Sequence, residues 1–545
     1  MQIIPDILHA TPTRRVDVDK TRLALTMAFA GSGSAGLFAE ALDQATIAPS
    51  TWRPSEFAAE LFLQRFVAHC FRIKLAGREP VMQTQHLYRL LSQPPADPDT
   101  VTLRRHVLFE LTERPELRAA LESVCLDLCK LRGLLENAGG IRIWDENRRR
   151  LDILHVFQSI IDALAQSFAG AESALRRLHE FGTAVIQSEP YAALQDLLKC
   201  DARLASADVR VSIGADGSVN GFHVLAVNEN TDNPFVNPVW RRWLAKLELF
   251  VRGYRFSDGE VLARLVDAVV SGLELELVAL VQLLGDLKFY LGALGFRDDA
   301  AAAGLSVCLP DWVEPSEPRE LRGLFNPLLL MSGIVPVACD VTSARLASTS
   351  LITGPNSGGK TRLLQSLGLV QLLAQNGVFV PARVARLAWA SSLVASLIEE
   401  AKADQAEGRL GTELLRIRSL FEKLPPGALV LLDELCSGTN PSEGEQIFEL
   451  VVTMLNQLEP QAFISTHFLV FAERLQKAGK IPNLAFIQVQ LDDQRRPTYQ
   501  FVPGVAGSSL AAHTAERLGV TGEQLSALIQ HNLRVRQLGS TGGVS

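Results

Sequence analysis

Apolar residues recur at intervals of three and four over much of the chain before residue 300. This spacing begins near Pro54, and no proline interrupts the stretch between Pro115 and Pro190. Residues at such intervals share one face of an α-helix, and that face packs against a core. One apolar stripe in the proline-free stretch consists of Ile153, Leu154, Phe157, Ile160, Ile161, Leu164 and Phe168. The pattern predicts one long helix there, or two stacked helices, within a mostly helical region.

The pattern changes to strict alternation at residues 209–213, where every second residue is apolar. Asp216 and Gly217 then form a turn signal, and the alternation resumes at residues 222–226. Alternating positions on either side of an Asp-Gly turn are typical of a β-hairpin. A small hairpin is therefore predicted inside the helical region.

A second apolar seam runs from Leu262 to Leu294, with spacings that alternate almost entirely between three and four. Such heptad-like spacing favours a long helix packed along another helix. Gly272, Gly285 and Gly292 interrupt it, and each costs about 1 kcal/mol of helix stability relative to alanine, which allows a bend or a break. A core helix of a bundle and a mechanical lever are equally compatible with this seam.

Chain length and these patterns together predict several domains, since 545 residues suffice for roughly two to four. Residues 1–50 are mixed in character and are expected to form a loosely structured lead-in. Residues 51–320 are expected to form the helical domain. The composition shifts toward proline, glutamate and arginine between Pro310 and Pro327, which marks the junction into a last domain, residues 321–545.

Charge and cysteine content narrow the class of protein. The net charge of −7 gives the whole chain no general attraction for nucleic acid, so a DNA contact would need local basic patches. Two candidates are Arg148–Arg150 and Arg241–Arg242, although solvated helix faces are the commoner explanation. The seven cysteines include no C-x-x-C pair. We therefore expect no zinc site, and a reduced, cytoplasmic protein without a membrane span.

A phosphate-binding loop is the most informative motif. A short apolar run, Leu351–Thr353, leads into a glycine-rich turn that fills the template G-x-x-x-x-G-K-[ST]. Backbone N–H groups of such a loop surround phosphate oxygens at the start of a helix. The lysine reaches the β- and γ-phosphates of a nucleotide, and the hydroxyl residue binds Mg²⁺. The predicted nucleotide-binding residues are Gly354, Pro355, Asn356, Ser357, Gly358, Gly359, Lys360 and Thr361.

Two further apolar strands are predicted to end in catalytic side chains. Leu429–Leu432 is followed by Asp433 and Glu434, which places two carboxylates at the end of a buried strand. Asp433 is expected to hold Mg²⁺, and Glu434 to orient and deprotonate the attacking water. His467 follows another apolar strand and is expected to sense the γ-phosphate, as in ABC-type ATPases. ATP and Mg²⁺ are therefore the expected cofactors, with Lys360, Glu434 and His467 as catalytic residues.

These motifs resemble the ATPase domain of the MutS mismatch-repair family over residues 326–520. GPNSGGKT (354–361), DELCSGTNPSEG (433–444) and STH (465–467) are similar to that family's segments and occur in the same order. The resemblance implies a homodimer, closed head to tail by ATP, in which Ser437, Gly438 and Thr439 face the partner subunit. It also implies dimerisation through a helix–turn–helix ending near Gln530, and DNA and repair proteins as partners. The implied fold is an ABC-type α/β P-loop ATPase domain, preceded by a mostly α-helical core-and-lever domain with a small β-hairpin.

The sequence also departs from the family pattern. Gly411 stands where the family's signature serine is expected, which puts turnover and cross-subunit sensing in doubt. The family's mismatch-reading Phe-x-Glu is matched only by Phe38 and Glu40, which we interpret as chance. We expect no mismatch-recognition domain, a reduced or missing DNA clamp, and no nuclease module. The wording NPSEG, residues 440–444, is nevertheless closer to the family's anti-recombination branch, which carries that module.

Three functions therefore stay open. The first is a DNA-binding ATPase that responds to mismatched or branched DNA in repair or recombination. The second is a nucleotide-gated scaffold that binds proteins and does not contact DNA. The third, an unrelated P-loop kinase or transferase, is disfavoured because the Asp-Glu strand and the histidine strand occur together.

Overall fold

The computed structural model describes residues 3–30, 36–75, 84–136, 146–203, 205–213, 219–229, 266–397, 408–436, 440–507 and 520–540. The chain divides into two compact units. The helical unit comprises Met1–Ile47, Ile73–Arg89 and Thr102–Gly292. The sheet unit comprises Ala48–Arg72, Leu90–Val101 and Ala293–Ser545.

Most described residues up to Ala302 are helical, as the apolar spacing predicted. The α-helices in this part are α1 (Val18–Phe29), α2 (Leu37–Asp43), α3 (Leu63–His69), α4 (Thr84–Ser92), α5 (Pro98–Glu113), α6 (Pro115–Glu136), α7 (Glu146–Ser167), α8 (Arg176–Ile186), α9 (Glu189–Arg203) and α10 (Glu274–Ala302). Six of the seven stripe residues lie on α7, Phe168 follows its last residue, and all seven are buried. Helix α7 packs against α6 and α8. One long helix, rather than two stacked ones, therefore carries that stripe.

The seam between Leu262 and Leu294 lies mostly on α10. Residues 266–272 are helical, a turn follows at Leu273, and α10 then runs unbroken through Gly285 and Gly292. By length and composition alone α10 is apolar enough to cross a membrane, but 94% of its most apolar window is buried inside the protein. A helix that is apolar on all sides is typical of a protein core. This burial accounts for the seam, of which Leu262 lies outside the described residues.

The predicted hairpin is present. Strands β1 (Ala205–Ile213) and β2 (Val219–Glu229) pair antiparallel, from Ala205 opposite Glu229 to Ile213 opposite Val219. The predicted turn residues, Asp216 and Gly217, lie outside the described residues. The register shifts next to Val209 and Ile213, as in a hairpin with bulges.

The described part of residues 1–50 is folded, so the expectation of a loose lead-in is wrong. Residues before α1 are held in the helical unit by hydrogen bonds and ion pairs of buried and half-buried side chains. Arg177 donates to the carbonyl oxygens of Asp6, His9 and Ala10, each at 2.7 Å. Arg15 forms a buried ion pair with Asp286 of α10. The segment is ordered because its polar groups find partners inside the protein rather than in water.

The sheet unit contains two sheets. Its strands are β3 (Asp311–Trp312), β4 (Arg319–Leu324), β5 (Cys339–Ser343), β6 (Ser348–Thr353), β7 (Val384–Leu387), β8 (Leu393–Ser396), β9 (Leu429–Leu432), β10 (Gln461–Ser465), β11 (Leu484–Leu491) and β12 (Pro497–Pro503). The larger sheet has the order β12-β11-β6-β10-β9-β8 and is parallel except for β12. The smaller sheet has the order β3-β7-β4-β5.

The helices of the sheet unit are α11 (Lys360–Gln375), α12 (Gly408–Lys423), α13 (Pro441–Leu455), α14 (Leu469–Ala478) and α15 (Gly522–Ser540). All residues of β6, β9 and β10 are buried, as expected for central parallel strands. These three strands are neighbours in the sheet, so the residues that follow them meet at one edge. This arrangement brings the predicted site together.

Two segments that precede residue 321 in the chain, Ala48–Arg72 and Leu90–Val101, also belong to the sheet unit. The predicted division into consecutive domains placed them in the helical domain. Glu60 accepts the backbone N–H of Leu397 at 2.7 Å, just beyond β8. Leu61 packs on α11, where a Cβ added to Gly368 would lie 2.7 Å from a Leu61 methyl group. The segment Ala48–Arg72 therefore packs on the larger sheet and on α11.

Candidate nucleotide-binding and active site

The glycine-rich loop connects β6 to α11, as the motif predicts. Gly354 has a φ of 138° and Gly359 a φ of 84°. Residues that carry a Cβ rarely adopt such backbone conformations. A Cβ on Gly354 would lie 2.7 Å from a methyl carbon of Val489 in β11. Gly358 donates its N–H to the Pro355 carbonyl oxygen at 2.9 Å and closes the turn. The glycines are thus required both by backbone conformation and by contact with the neighbouring strand.

Lys360 is the first residue of α11 and its side chain is buried beneath the loop. The Nζ donates to the carbonyl oxygens of Gly354 at 3.0 Å and Pro355 at 3.2 Å. It also lies 3.9 Å from Oε1 of Glu434. Burial lowers the pKa of Lys360, while the carboxylates of Glu434 and Asp433 oppose that shift. Asn356 and Ser357 at the tip of the loop are exposed, so the loop opens to solvent there.

Asp433 is held between two hydroxyl groups. Thr361 Oγ1 donates to Oδ2 of Asp433, and Ser465 Oγ donates to Oδ1. The backbone N–H of Asp433 donates to the carbonyl oxygen of Ser396 at 2.9 Å. The carboxylate of Asp433, which follows β9, is therefore held by Thr361 of α11 and by Ser465 of β10. Thr361 and Asp433, predicted as metal ligands from distant motifs, lie in direct contact.

Glu434 follows Asp433 in the left-handed region, with a φ of 49°. Its backbone N–H donates to Ser465 Oγ at 2.9 Å, and its side chain remains 34% exposed. A glutamate with this backbone conformation is unusual, and such residues cluster at functional sites. The conformation directs the side chain of Glu434 to Lys360 and leaves it accessible to water.

His467 lies two residues beyond β10 and is exposed, with its ring centroid 4.2 Å from that of Phe468. Its role as a γ-phosphate sensor stays a prediction. Ser437, Gly438 and Thr439 lie outside the described residues. Gly411 lies in the first turn of α12. Of the predicted helix–turn–helix, residues 508–519 lie outside the described part, and α15 exposes Leu525, Leu528 and Ile529.

A cavity of about 740 Å³ adjoins the loop. Asn356, Ser357 and Gly359 of the loop and Lys360–Arg362 of α11 form one wall, and apolar side chains form much of the remainder. Sequence reasoning did not single out these apolar residues, which include Ile334, Val335, Val337 and Tyr499. Ile334, Val335 and Val337 are each more than half exposed. Neighbouring exposed apolar side chains of this kind indicate a binding surface. Tyr499 has a φ of 60° and lies beside Gly359.

The residues present suit a magnesium ion held jointly with phosphate. Mg²⁺ is usually bound by one or two carboxylates together with water and substrate phosphates, rather than by a cage of protein ligands. Thr361 and Asp433 offer adjacent hydroxyl and carboxylate oxygens of this kind. Within the described ranges no group of three His, Cys, Asp or Glu side chains could hold a metal. The donor set therefore fits Mg²⁺ with a nucleotide.

Two candidate features of the helical unit have structural roles. Arg149 donates to the Leu134 carbonyl oxygen, and Arg150 donates to that of Phe29 at 2.7 Å. These arginines are used in helix packing, while Arg241 and Arg242 lie outside the described residues. Phe38 is buried in α2, in agreement with a chance match to the mismatch-reading pair.

Comparison with known proteins finds a family model that resembles part of the sheet unit. Residues 350–531 match the family model described as MutS domain V. This part of the chain is similar to the MutS family. The resemblance drawn from the three motifs is thereby confirmed, and MutS domain V is the ATPase domain of that family. The match begins inside β6 and includes the loop, Asp433, Glu434 and His467.

Several relatives carry the name Endonuclease MutS2. The Thermus thermophilus protein is 35% identical over 240 residues, which are 43% of this chain and 31% of that protein. The Synechocystis protein is 31% identical over 277 residues, 44% of this chain and 33% of that protein. The Caldanaerobacter subterraneus protein is 31% identical over 205 residues, 37% of this chain and 25% of that protein. The chain thus spans a quarter to a third of the length of these relatives.

Proposed function

We propose that the sheet unit binds and hydrolyses ATP as an ABC-type P-loop ATPase. One observation carries the proposal: Thr361 touches Asp433, while Lys360 lies 3.9 Å from Glu434, although the strands that precede them, β6 and β9, are separated by β10. Residues that are 72 positions apart in sequence thus form one group of a cation, a hydroxyl and two carboxylates. The Glu434 side chain is partly exposed, so water can reach its carboxylate, which favours hydrolysis.

Nucleotide binding would use both the loop and the adjoining cavity. The loop N–H groups and the N-terminus of α11 suit the phosphates, and Lys360 would turn from the loop carbonyls to the β- and γ-phosphate oxygens. The apolar wall at Ile334, Val335 and Tyr499 suits a flat base, because such sites are mostly apolar with few polar groups. The cavity volume is ample for a nucleoside.

Hydrolysis would use the residues at the ends of β9 and β10. Mg²⁺ held by Thr361 and Asp433 would neutralise charge on the phosphate oxygens. Ser465 would keep the Asp433 carboxylate in place. Glu434 would orient the water and accept its proton, and His467 would contact the γ-phosphate. The cytoplasmic location predicted from the cysteines stays part of this proposal.

We further propose that two copies act together. Ser437, Gly438 and Thr439 would face the partner's nucleotide, and the backbone N–H of Gly411 would replace the family's signature serine. Leu525, Leu528 and Ile529 of α15 are exposed in the single chain, which supports a role for this helix in dimerisation. ATP would then switch the dimer between open and closed conformations.

DNA is the proposed substrate of that switch, in repair or recombination. The relatives named Endonuclease MutS2 and the MutS domain V support a DNA-related ATPase. Arg149 and Arg150 contribute no support, because they bind backbone carbonyls. A nucleotide-gated protein scaffold is the alternative, and the following experiment separates the two.

The experiment measures ATPase rate alone and with intact duplex, mismatched and branched DNA. We expect at least one DNA to change the rate, and DNA affinity to fall steeply with salt because phosphate contacts release counterions. Lys360→Ala is the control that should lose ATPase activity with every DNA. Normal ATPase activity with no DNA binding at low salt would favour the scaffold. No ATPase activity under any condition would contradict the proposal itself.

A further inference from the structure

Strand β12, at one edge of the larger sheet, is irregular where it passes the phosphate loop. Between two successive pairs of its register with β11, one residue of β11 lies opposite three residues of β12, residues 498–500. The two pairs are Val489 with Phe501 and Leu491 with Pro497. Extra residues in one strand form a bulge, and bulges beside active sites redirect a side chain. The bulge in β12 therefore sets the direction of its middle side chain, that of Tyr499.

Tyr499 has a φ of 60°, in the left-handed region. A bulky residue rarely adopts this conformation, which persists only where the surrounding structure enforces it. The ring lies against the phosphate loop, since a Cβ on Gly359 would be 3.2 Å from Cδ1 of Tyr499. The side chain is 45% exposed and lines the cavity of about 740 Å³. The unfavourable backbone conformation thus presents an aromatic ring to the nucleotide cavity.

Gln500 restrains this bulge through its side chain and its backbone. The half-buried side chain donates from Nε2 to the carbonyl oxygen of Ala338 at 2.8 Å. The backbone N–H of Gln500 donates to Oγ1 of Thr498 at 3.3 Å. Thr498 Oγ1 in turn donates to the carbonyl oxygen of Gln490 in β11 at 2.9 Å. Both neighbours of Tyr499 are therefore fixed by hydrogen bonds.

The partner of the Gln500 side chain belongs to another part of the cavity wall. Ala338 directly follows the lip of the cavity, which we define as residues 334–337, and it precedes β5. The isoleucine and the two valines of the lip are each more than half exposed. Ala338 and Gln500 are 162 positions apart in the chain. One hydrogen bond thus joins the lip to the strand segment that carries Tyr499.

We propose that Gln500 is a positioning residue for nucleotide binding, which holds the lip and Tyr499 at the spacing that a purine base requires. This role rests on the proposed function, in which the base occupies the apolar part of the cavity and the phosphates occupy the loop. In the described part of the chain, the hydrogen bonds of Gln500 go to Ala338 and Thr498 rather than to the acids that follow β9. Gln500 therefore acts on nucleotide affinity and not on the cleavage step.

The variant Gln500→Met removes the donor and keeps the approximate length of the side chain. The carbonyl oxygen of Ala338 then loses its partner, and the bulge loses its link to the lip. A hydrogen bond of this kind corresponds to roughly a fivefold to tenfold change in an equilibrium constant. We expect the Kd for ADP and the KM for ATP to rise by about that factor. The kcat should change by less than about twofold, because an interaction made equally in the ground state and the transition state affects KM alone.

The test compares two ligands by calorimetry on the full chain with Mg²⁺ present. ADP carries a base, whereas inorganic tripolyphosphate offers phosphates alone. We expect Gln500→Met to bind ADP more weakly than the wild type and to bind tripolyphosphate equally well. A variant that only loosened the loop or the fold would bind both ligands more weakly. Unchanged binding of tripolyphosphate therefore also shows that the variant is folded.

Two further variants make the result specific to the bulge. Gln494 is an exposed glutamine in the turn between β11 and β12, so Gln494→Met is the matched control and should bind both ligands as the wild type does. Tyr499→Ala should weaken binding of ADP and spare binding of tripolyphosphate. The double variant of Tyr499→Ala and Gln500→Met should lose less affinity for ADP than the two single losses combined, because residues that act together are not additive.

The outcomes separate the role of Gln500 from the proposed function. Wild-type affinity of Gln500→Met for ADP would overturn the positioning role alone. Equal weakening of ADP and tripolyphosphate binding, or fully additive losses in the double variant, would overturn it as well. If the wild type bound neither ADP nor tripolyphosphate, the proposed function itself would fail, and the role of Gln500 with it.

Discussion

The hydroxyl of Ser465 donates to the carboxylate of Asp433 at the ends of two adjacent strands. The same oxygen accepts the backbone N–H of Glu434 at 2.9 Å. One side chain of β10 thus holds both acids that follow β9. The third strand of the group, β6, leads to Thr361, which holds the other oxygen of Asp433. Ser465 is therefore a positioning residue for the proposed metal ligand and for the proposed base.

Removal of the Ser465 hydroxyl should make the position of the Asp433 carboxylate less fixed, while both proposed Mg²⁺ ligands remain present. A hydrogen bond to a charged group contributes about 1.5–3 kcal/mol, which corresponds to roughly tenfold to hundredfold. We expect Ser465→Ala to lower kcat for ATP hydrolysis within that range and to raise the Mg²⁺ concentration needed for half-maximal rate. Ser465→Thr retains the hydroxyl and should recover most of the rate. An unchanged Mg²⁺ titration in Ser465→Ala would contradict the positioning role.

Glu434 should be required for turnover but not for nucleotide binding. A general base contributes typically about 10²–10⁴-fold to the rate, so Glu434→Gln should lower kcat by that factor. A fluorescent ATP analogue should still bind, and light scattering should show a dimer that persists in ATP. Glu172→Gln changes an exposed glutamate of the helical unit and should leave the rate as it is. Wild-type turnover by Glu434→Gln would show that another residue activates the water.

Local patterns explain what the sequence predicted well. A turn signal between alternating strands predicts a hairpin, because pairing follows directly along the chain. The phosphate loop and the acids after Leu429–Leu432 are likewise short segments whose residue types determine their backbone. Their meeting at one sheet edge was expected because parallel strands present their carboxyl ends together.

Long-range relationships were not predictable in the same way. Ser465 reaches Asp433 only because β10 lies between β6 and β9, and strand order is not encoded in any one segment. Arg15 and Asp286 form a buried pair across 271 positions, which no local pattern of the sequence reveals. The mixed character of residues 1–50 predicted a loose segment, although Asp17 caps α1 by accepting the Lys20 N–H.

Gly354 should tolerate no side chain. Its φ of 138° disfavours any L-residue, and a Cβ would lie 2.7 Å from Val489. We expect Gly354→Ala to lower the stability of the sheet unit by about 1–3 kcal/mol and to abolish binding of the fluorescent ATP analogue. Gly507 has open space at its Cβ position, so Gly507→Ala is the matched control. Equal Tm values and equal ATP binding for the two variants would contradict this account of the loop.

The N-terminal anchor should make stability depend on acid pH. Asp6 is fully buried and accepts the backbone N–H groups of Leu8 at 2.9 Å and Thr13 at 3.1 Å. Burial acts to raise the pKa of Asp6, but the hydrogen bond with His9 and the charge of Arg15 outweigh it and lower the pKa to about 2. The unfolded value is about 3.9, so the folded state prefers the ionised form.

The sign of the effect follows from this depressed pKa. The stabilisation is fully present above about pH 5 and is lost as the pH falls through about 4 toward 2, because the unfolded chain then binds the proton first. Its size is about 2–3 kcal/mol for a shift of this magnitude.

Asp6→Asn should therefore lower the Tm at pH 7, and its Tm should converge with that of the wild type as the pH approaches 2. Asp19, an exposed carboxylate on α1, provides the control variant Asp19→Asn, whose Tm should follow the wild type at every pH. A constant difference between Asp6→Asn and the wild type from pH 7 to pH 2 would show that lost packing, rather than the charge of Asp6, is responsible.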